Sequence, residues 1–190
     1  MTSGKHHARQ IFEHTLASID IPRMMEWKLP LQGTQLILPE CCVELSRISR
    51  MCVVAIGKAA HAMVRGLLNI LPANVSASGI VAAPTLPAER ERDFGYFVAG
   101  HPIPNEDSWN AAEAILQLLQ STDERTLVFF LLSGGGSALV ELPLVARMTL
   151  QDVQSLYQTL VTCGAPIEAI NTVRRHLSAV KGGRLAVAAS

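Results

Sequence analysis

Apolar positions along the chain follow two alternating rhythms. Short unbroken runs, "MCVVAI" (51–56), "GIVAA" (79–83), "GYFVA" (95–99) and "TLVFFLL" (126–132), read as buried strands, each followed by Gly, Pro or Ser. Between them the spacing becomes helical. "KAAHAMVRGLLNIL" (58–71) carries Ala59, Met63, Leu67 and Leu71 on one face, and "AAEAILQLLQ" lies in a helix expected over 106–120 with Asn105 as its cap. Thr149 with Asp152 resembles a capping pair that opens a helix to about Val161, and Pro166 suits the start of another, "IEAINTVRRHLSAVKGG". Near the N-terminus, residues 5–19 place Ile11, Phe12, Leu16 and Ile19 at helical spacing, after which Pro22, Pro30, Gly33 and Pro39 break the pattern. Continuous apolar strands alternating with helices predict an α/β fold, a three-layer α/β/α Rossmann-like sandwich around a mainly parallel sheet. Residues 51–190 would form this domain, with 1–50 a helical segment packing on it.

Composition narrows the function. Of 190 residues, 49% are hydrophobic and 17% charged, which places the chain among globular proteins long enough to bury a core. Sixteen basic residues balance sixteen acidic ones, and aromatics reach only 5%, so no nucleic-acid partner and no membrane-surface role is expected. The polar N-terminus lacks the apolar core of a signal peptide, and no apolar run has membrane-spanning length; the expected location is the cytoplasm. Cys41, Cys42, Cys52 and Cys163 form no CxxC or zinc spacing and read as reduced, buried thiols.

In a parallel sheet, ligands gather beyond the carboxyl ends of the strands. Three strand exits carry unusual chemistry: Gly57-Lys58, Gly100-His101-Pro102, and Ser133-Gly134-Gly135-Gly136-Ser137. Three glycines between apolar walls allow consecutive amides to turn toward one anion, with a helix beginning near Ser137 adding its positive end. A tight turn without a ligand is the bland alternative. Lys58 opposes the dipole of the helix it precedes, an arrangement that an anion would compensate; a solvated lysine is the alternative. His101 suits packing or capping as well as catalysis. Asn171, Arg174 and Lys181 share a rough helical face that could wall an anionic cleft or simply meet solvent. Neither GxxxxGK[ST] nor GxGxxG occurs.

Four motifs in order, "AIGKAAHAM", "GHPIPNEDS", "LLSGGGSALVELP" and "INTVRRHLSAVKGGRLA", resemble the class II glycerate kinase family, in which a DUF4147-type N-terminal domain precedes a MOFRL domain. The resemblance spans about Met51 to Ser190. It implies a kinase that transfers the γ-phosphoryl group of ATP to D-glycerate, commonly at the 2-hydroxyl, with Mg²⁺. It further implies that Lys58 is the catalytic lysine and that Ser133, Gly134, Gly135, Gly136 and Ser137 form the active-site loop. Asn171, Arg174 and Lys181 would bind substrate or nucleotide, and none of these residues is a metal ligand.

Two departures from the family pattern stand out. Many members read Gly-Ala-Gly-Lys-Ala where this chain has Ala55 and Ile56 before Gly57. Members also continue beyond "RLAVAAS" into an acidic Gly-Asp motif and the second domain, so the resemblance implies an incomplete kinase, inactive alone, with the C-terminal MOFRL domain absent. The open cleft face would then favour self-association as a homo-oligomer. Competing readings are a non-catalytic anion- or nucleotide-binding module, a hydroxypyruvate reductase, which would need a nicotinamide fingerprint, and a phosphosugar isomerase domain.

Overall fold

The structure, a computed structural model, describes residues 3–189; residues 1, 2 and 190, the outer limits of the two expected segments, lie outside the described residues. Helices α1 (Ser3–Ser18) and α2 (Ile21–Lys28) are followed by three very short strands, β1 (Leu31–Gln32), β2 (Gln35–Ile37) and β3 (Cys42–Glu44). These pair antiparallel in the order β1-β2-β3, and a 3₁₀ turn at Leu45–Arg47 leads into the main sheet. That sheet contains β4 (Arg50–Ile56), β5 (Ala77–Ala83), β6 (Phe94–Val98) and β7 (Thr126–Leu132), ordered β6-β5-β4-β7. All its pairings are parallel. Helix α3 (Ala60–Ile70) connects β4 to β5, and α4 (Glu106–Gln120) carries the chain from β6 back across the sheet to β7. A one-turn α5 (Gly136–Leu139), α6 (Leu150–Thr162), α7 (Ile167–Leu177) and α8 (Arg184–Ala188) complete the chain.

The predicted three-layer sandwich is present, and β4 explains why its sequence is apolar throughout. Met51, Val53 and Ala55 face one layer with Leu36, Leu45, Val64 and Leu67. Val54 and Ile56 face the other with Ile115, Leu119 and Leu139. A strand buried on both faces loses the period-2 alternation of a half-solvated one. Each fully buried Val, Leu or Ile contributes about 1.5–3 kcal/mol relative to exposure. On the first face α2 crosses close to α3 at Gly66, where a Cβ would lie 2.9 Å from the Pro22 Cα.

Helix α4 starts on a capping box: the Asn105 side chain accepts from the Ser108 amide while the Ser108 hydroxyl receives the Asn105 amide. Thr149 and Asp152 make the equivalent box for α6. Hydrogen bonds from Thr149 hold the Asp152 carboxyl below its usual range.

Three features differ from the sequence reading. Residues 1–50 hold the small antiparallel sheet in addition to helices. Ile11, Phe12 and Leu16 of α1, and Ile19 just beyond its end, are each more than half exposed, so that helix does not bury its stripe against the domain. Of the cysteines only Cys52 is buried; Cys41, Cys42 and Cys163 are exposed, and all four are free. No helix among the described residues is long and apolar enough to cross a membrane.

Candidate functional site

The strand order reverses direction at β4. Strands β5 and β6 build outward on one side, and β7 returns to the other. The exits of β4 and β7 therefore lie side by side, at the switch point where doubly wound sheets bind ligands. Two of the three strand exits singled out from the sequence, Gly57-Lys58 and Ser133–Ser137, meet there.

They are stitched together by hydrogen bonds. The Lys58 amide donates to the Gly134 carbonyl (3.0 Å), the Ala59 amide to Ser133 Oγ (3.0 Å), and the Ser133 amide to the Ile56 carbonyl (2.9 Å). Gly57 makes the stitch sterically feasible: at φ +129 its Cβ would stand 2.1 Å from Ser133 Oγ. Ser133 thus engages the β4 exit through its hydroxyl oxygen while still lining the cavity described below.

Among the described residues the amides of Gly134, Gly135, Gly136 and Ser137 find no acceptor, and Gly135 takes the left-handed φ of +92 that lets such a loop turn its amides toward one anion. Helix α5 spans only four residues, so the backbone amides, and not a helix macrodipole, supply the positive potential. Lys58 stands beside this loop, its Cε 3.7 Å from the position a Gly135 Cβ would take. The lysine is exposed and has neither an ion-pair nor a hydrogen-bond partner for its ammonium among the described residues.

On the other side of the loop opens a cavity of about 650 Å³, lined by Ser133, Gly136, Ser137, Asn171, Arg174 and Lys181 together with the apolar Ile56 and Leu132. Helix α7 brings Asn171 and Arg174 to this wall, one turn apart. Arg174 is only 9% exposed and has no carboxylate partner among the described residues. Its guanidinium lies over the Tyr157 ring at 4.3 Å, and its buried Nε finds no acceptor. A buried, uncompensated guanidinium is costly unless an anion completes it.

Lys181 behaves differently from its neighbours. Its ammonium donates to Glu141 Oε2 at 2.6 Å and to the Val140 carbonyl at 3.0 Å. The same carboxylate receives the Tyr157 hydroxyl, which also approaches the Ser137 carbonyl at 3.1 Å. Burial, followed by nearby Arg174, pushes the Lys181 pKa down against the opposing pull of Glu141. Burial and Glu141 together push the Tyr157 phenol up. Lys181 therefore braces the floor of the loop from the cavity wall. The brace was not evident from the sequence, where Glu141 sits among apolar residues and Tyr157 reads as core. An acid inside "ALVELP" was the available signal.

The sequence profile of the family described as "Domain of unknown function (DUF4147)" matches residues 7–190. The chain is 41% identical over 139 residues to a protein named D-glycerate 2-kinase from Thermotoga maritima, covering 73% of this chain and 33% of that protein. It is 38% identical over 190 residues to a putative hydroxypyruvate reductase of Agrobacterium vitis, covering 98% of this chain and 39% of the relative. The crystal structure of a Thermotoga maritima glycerate kinase superposes with a TM-score of 0.75 at 34% identity, covering 100% of this chain and 42% of that one. The chain thus spans about a third of the length of the curated relatives it matches.

Proposed function

This chain belongs to the DUF4147 family, and on that premise we propose that it forms the phosphoryl-handling wall of an ATP-dependent glycerate kinase acting at the 2-hydroxyl of D-glycerate. One observation carries the proposal: among the described residues, four successive unpaired amides stand beside two cations that no carboxylate neutralises, Lys58 and Arg174. Phosphoryl transfer is chiefly positioning plus neutralisation of charge, and these groups supply both. ATP would supply the phosphoryl group. The amides of Gly134–Ser137 and Lys58 would hold its anionic oxygens, with Lys58 as the catalytic lysine. Arg174, assisted by Asn171, would take the glycerate carboxylate, and the apolar Ile56 and Leu132 would exclude water from that side. Lys181, bound to Glu141, keeps the loop floor in place.

The relatives' kinase chemistry also implies Mg²⁺. Among the described residues no group of three His, Cys, Asp or Glu could hold a metal on protein ligands alone.

The reductase name borne by one relative calls for a nicotinamide dinucleotide, whose pyrophosphate normally sits on free amides of the first strand-to-helix turn. Here those amides are already used. Gly57 donates to Ala82, Lys58 to Gly134, Ala59 to Ser133 and Ala60 to Gly57. The kinase reading uses the amides that remain.

The test has two arms. Calorimetric titration of the 190-residue chain with ATP, Mg²⁺ and D-glycerate reads binding. A coupled ADP-release assay reads turnover, on this chain alone and joined to the C-terminal part of the Thermotoga maritima relative. Saturable binding by the chain, with glycerate-dependent ADP release only in the joined protein, is the expected result. NADH oxidation by hydroxypyruvate without any ADP release would overturn the proposal.

A further inference from the structure

His101 is the residue that the kinase reading leaves unexplained, although it stands at the third unusual strand exit. The turn that presents it is held from several directions. The Gly100 amide donates to Asn105 Oδ1 (2.9 Å) and to Ser108 Oγ (3.0 Å). Asn105 Nδ2 reaches back to the Val98 carbonyl (3.0 Å), and Gln154 Nε2 of α6 donates to the Pro104 carbonyl (2.9 Å). The turn is also tight enough to require its glycine, since a Cβ at Gly100 would lie 2.3 Å from the Ile103 carbonyl oxygen. Buried Ser108 and the cap of α4 thus anchor the turn, leaving the imidazole itself exposed and without a hydrogen bond among the described residues.

The ring lies over the glycine loop. A Cβ built on Gly135 would stand 3.0 Å from His101 Cδ2, 3.3 Å from Nε2 and 3.7 Å from Lys58 Cε. The imidazole and the lysine stem therefore converge on one α-carbon, from the exits of β6 and β4. Beside them a groove of about 190 Å³ runs between His101, Gly135, Ser137 and Arg174. Arg174 is the charged side chain that lines this groove with His101, and Lys58 approaches Gly135 beside it.

We propose that His101 is a ligand-contacting residue that pairs with Lys58 to bind the phosphoryl group held on the Gly134–Ser137 amides. This inference rests on the kinase reading above and adds a third element to its anion site. The fit is chemical: a neutral imidazole presents one N–H donor, and a phosphoryl group needs donors from several directions. The fit is also steric, because any side chain at position 135 would fill the gap between ring and loop. Glycine there serves both the positive φ and the close approach of the imidazole. No covalent step is involved; the ring binds and orients.

Inorganic phosphate titrated into the ¹⁵N-labelled 190-residue chain provides the test, followed through the loop amides and the imidazole nitrogens, with His101→Ala identifying the ring signal. The ring signal and the Gly134–Gly136 amides are expected to shift together with one dissociation constant. His101→Ala should weaken phosphate by about tenfold, the loss of one charge-assisted hydrogen bond. His101→Gln, whose amide extends toward the position of Nε2, should recover part of it. A purely structural histidine would change the melting midpoint and leave phosphate affinity unchanged, and that outcome overturns the inference. So does a still ring signal while the loop amides shift. Silent loop amides would instead remove the anion cradle, and the kinase reading with it.

Discussion

Lys58→Met is expected to slow glycerate-dependent ADP release by about 10²–10³-fold, the cost of removing one preorganised electrostatic contact to a transferring group. The lysine has no structural employment to lose. It is exposed, forms no ion pair, and stands where α3 begins, so its charge opposes the positive end of an eleven-residue helix. The melting midpoint of the variant should therefore stay level or rise while turnover collapses. That combination separates a ligand-binding cation from a surface charge, whose removal would leave both nearly unchanged. The coupled assay on the joined protein, with a thermal melt of the same preparation, provides the measurement. Turnover within a few-fold of the parent would return Lys58 to the solvated surface.

Glu141→Ala is expected to lose about 3–5 kcal/mol, the scale for breaking a buried ion pair from one side. The partner left behind is the reason. Lys181 is largely buried, and with Glu141 gone its ammonium keeps the Val140 carbonyl but loses its only counter-charge. Burial already holds the Lys181 pKa below its ordinary 10.5. Below the folded-state pKa both folded and unfolded chains carry the proton, and the penalty is present in full. Between that pKa and 10.5 only the unfolded chain binds the proton, so stability rises with pH across this window. Removing Glu141 removes the group that opposed the downward shift, which widens the window toward neutral pH. The variant should thus regain stability relative to the parent as pH is raised, read from chemical melts at neutral and alkaline pH. Adding Lys181→Met should restore much of the loss at neutral pH; if the double variant is no more stable than Glu141→Ala, the pair is not what holds this wall.

The parts of this fold that could be read from residue order are those whose cause is local. Runs buried on both faces, such as "MCVVAI", and capping pairs such as Thr149 with Asp152 carry their own signal, and most elements fall close to the expected bounds, although the helix read through Lys181 ends at Leu177, where Ser178 turns to extended backbone. The small sheet was missed because its strands are two or three residues long and alternate too briefly to show a period. "TLVFFLL" reads as a buried strand, yet β7 lies at the sheet edge among the described residues, with Leu132 63% exposed. Composition records which faces are apolar and says nothing of which neighbour a strand will have. The same boundary applies to the site. Three glycines after a strand, and a lysine against a helix dipole, point to an anion from local chemistry alone. Lys181 looks like a third binding cation until its contact with Glu141, forty residues away in the chain, is seen. Likewise Ser133 looks like a free hydroxyl until its oxygen is found accepting from the Ala59 amide, 74 residues away, with its proton toward the Ile56 carbonyl.

That last contact also bears on how the protein assembles. The amide of Ala59 can meet Ser133 only after the chain between them has made β5, β6 and α4 and returned, closing a long loop whose entropic cost grows with the logarithm of its length. The anion cradle is therefore complete only when β4 and β7 are paired. A bound anion then rewards the closed state alone: ligand at about one hundred times its dissociation constant adds about 2.7 kcal/mol to the whole sheet and not to the loop in isolation. In this architecture, recognition of the ligand and closure of the longest strand pairing are one cooperative event.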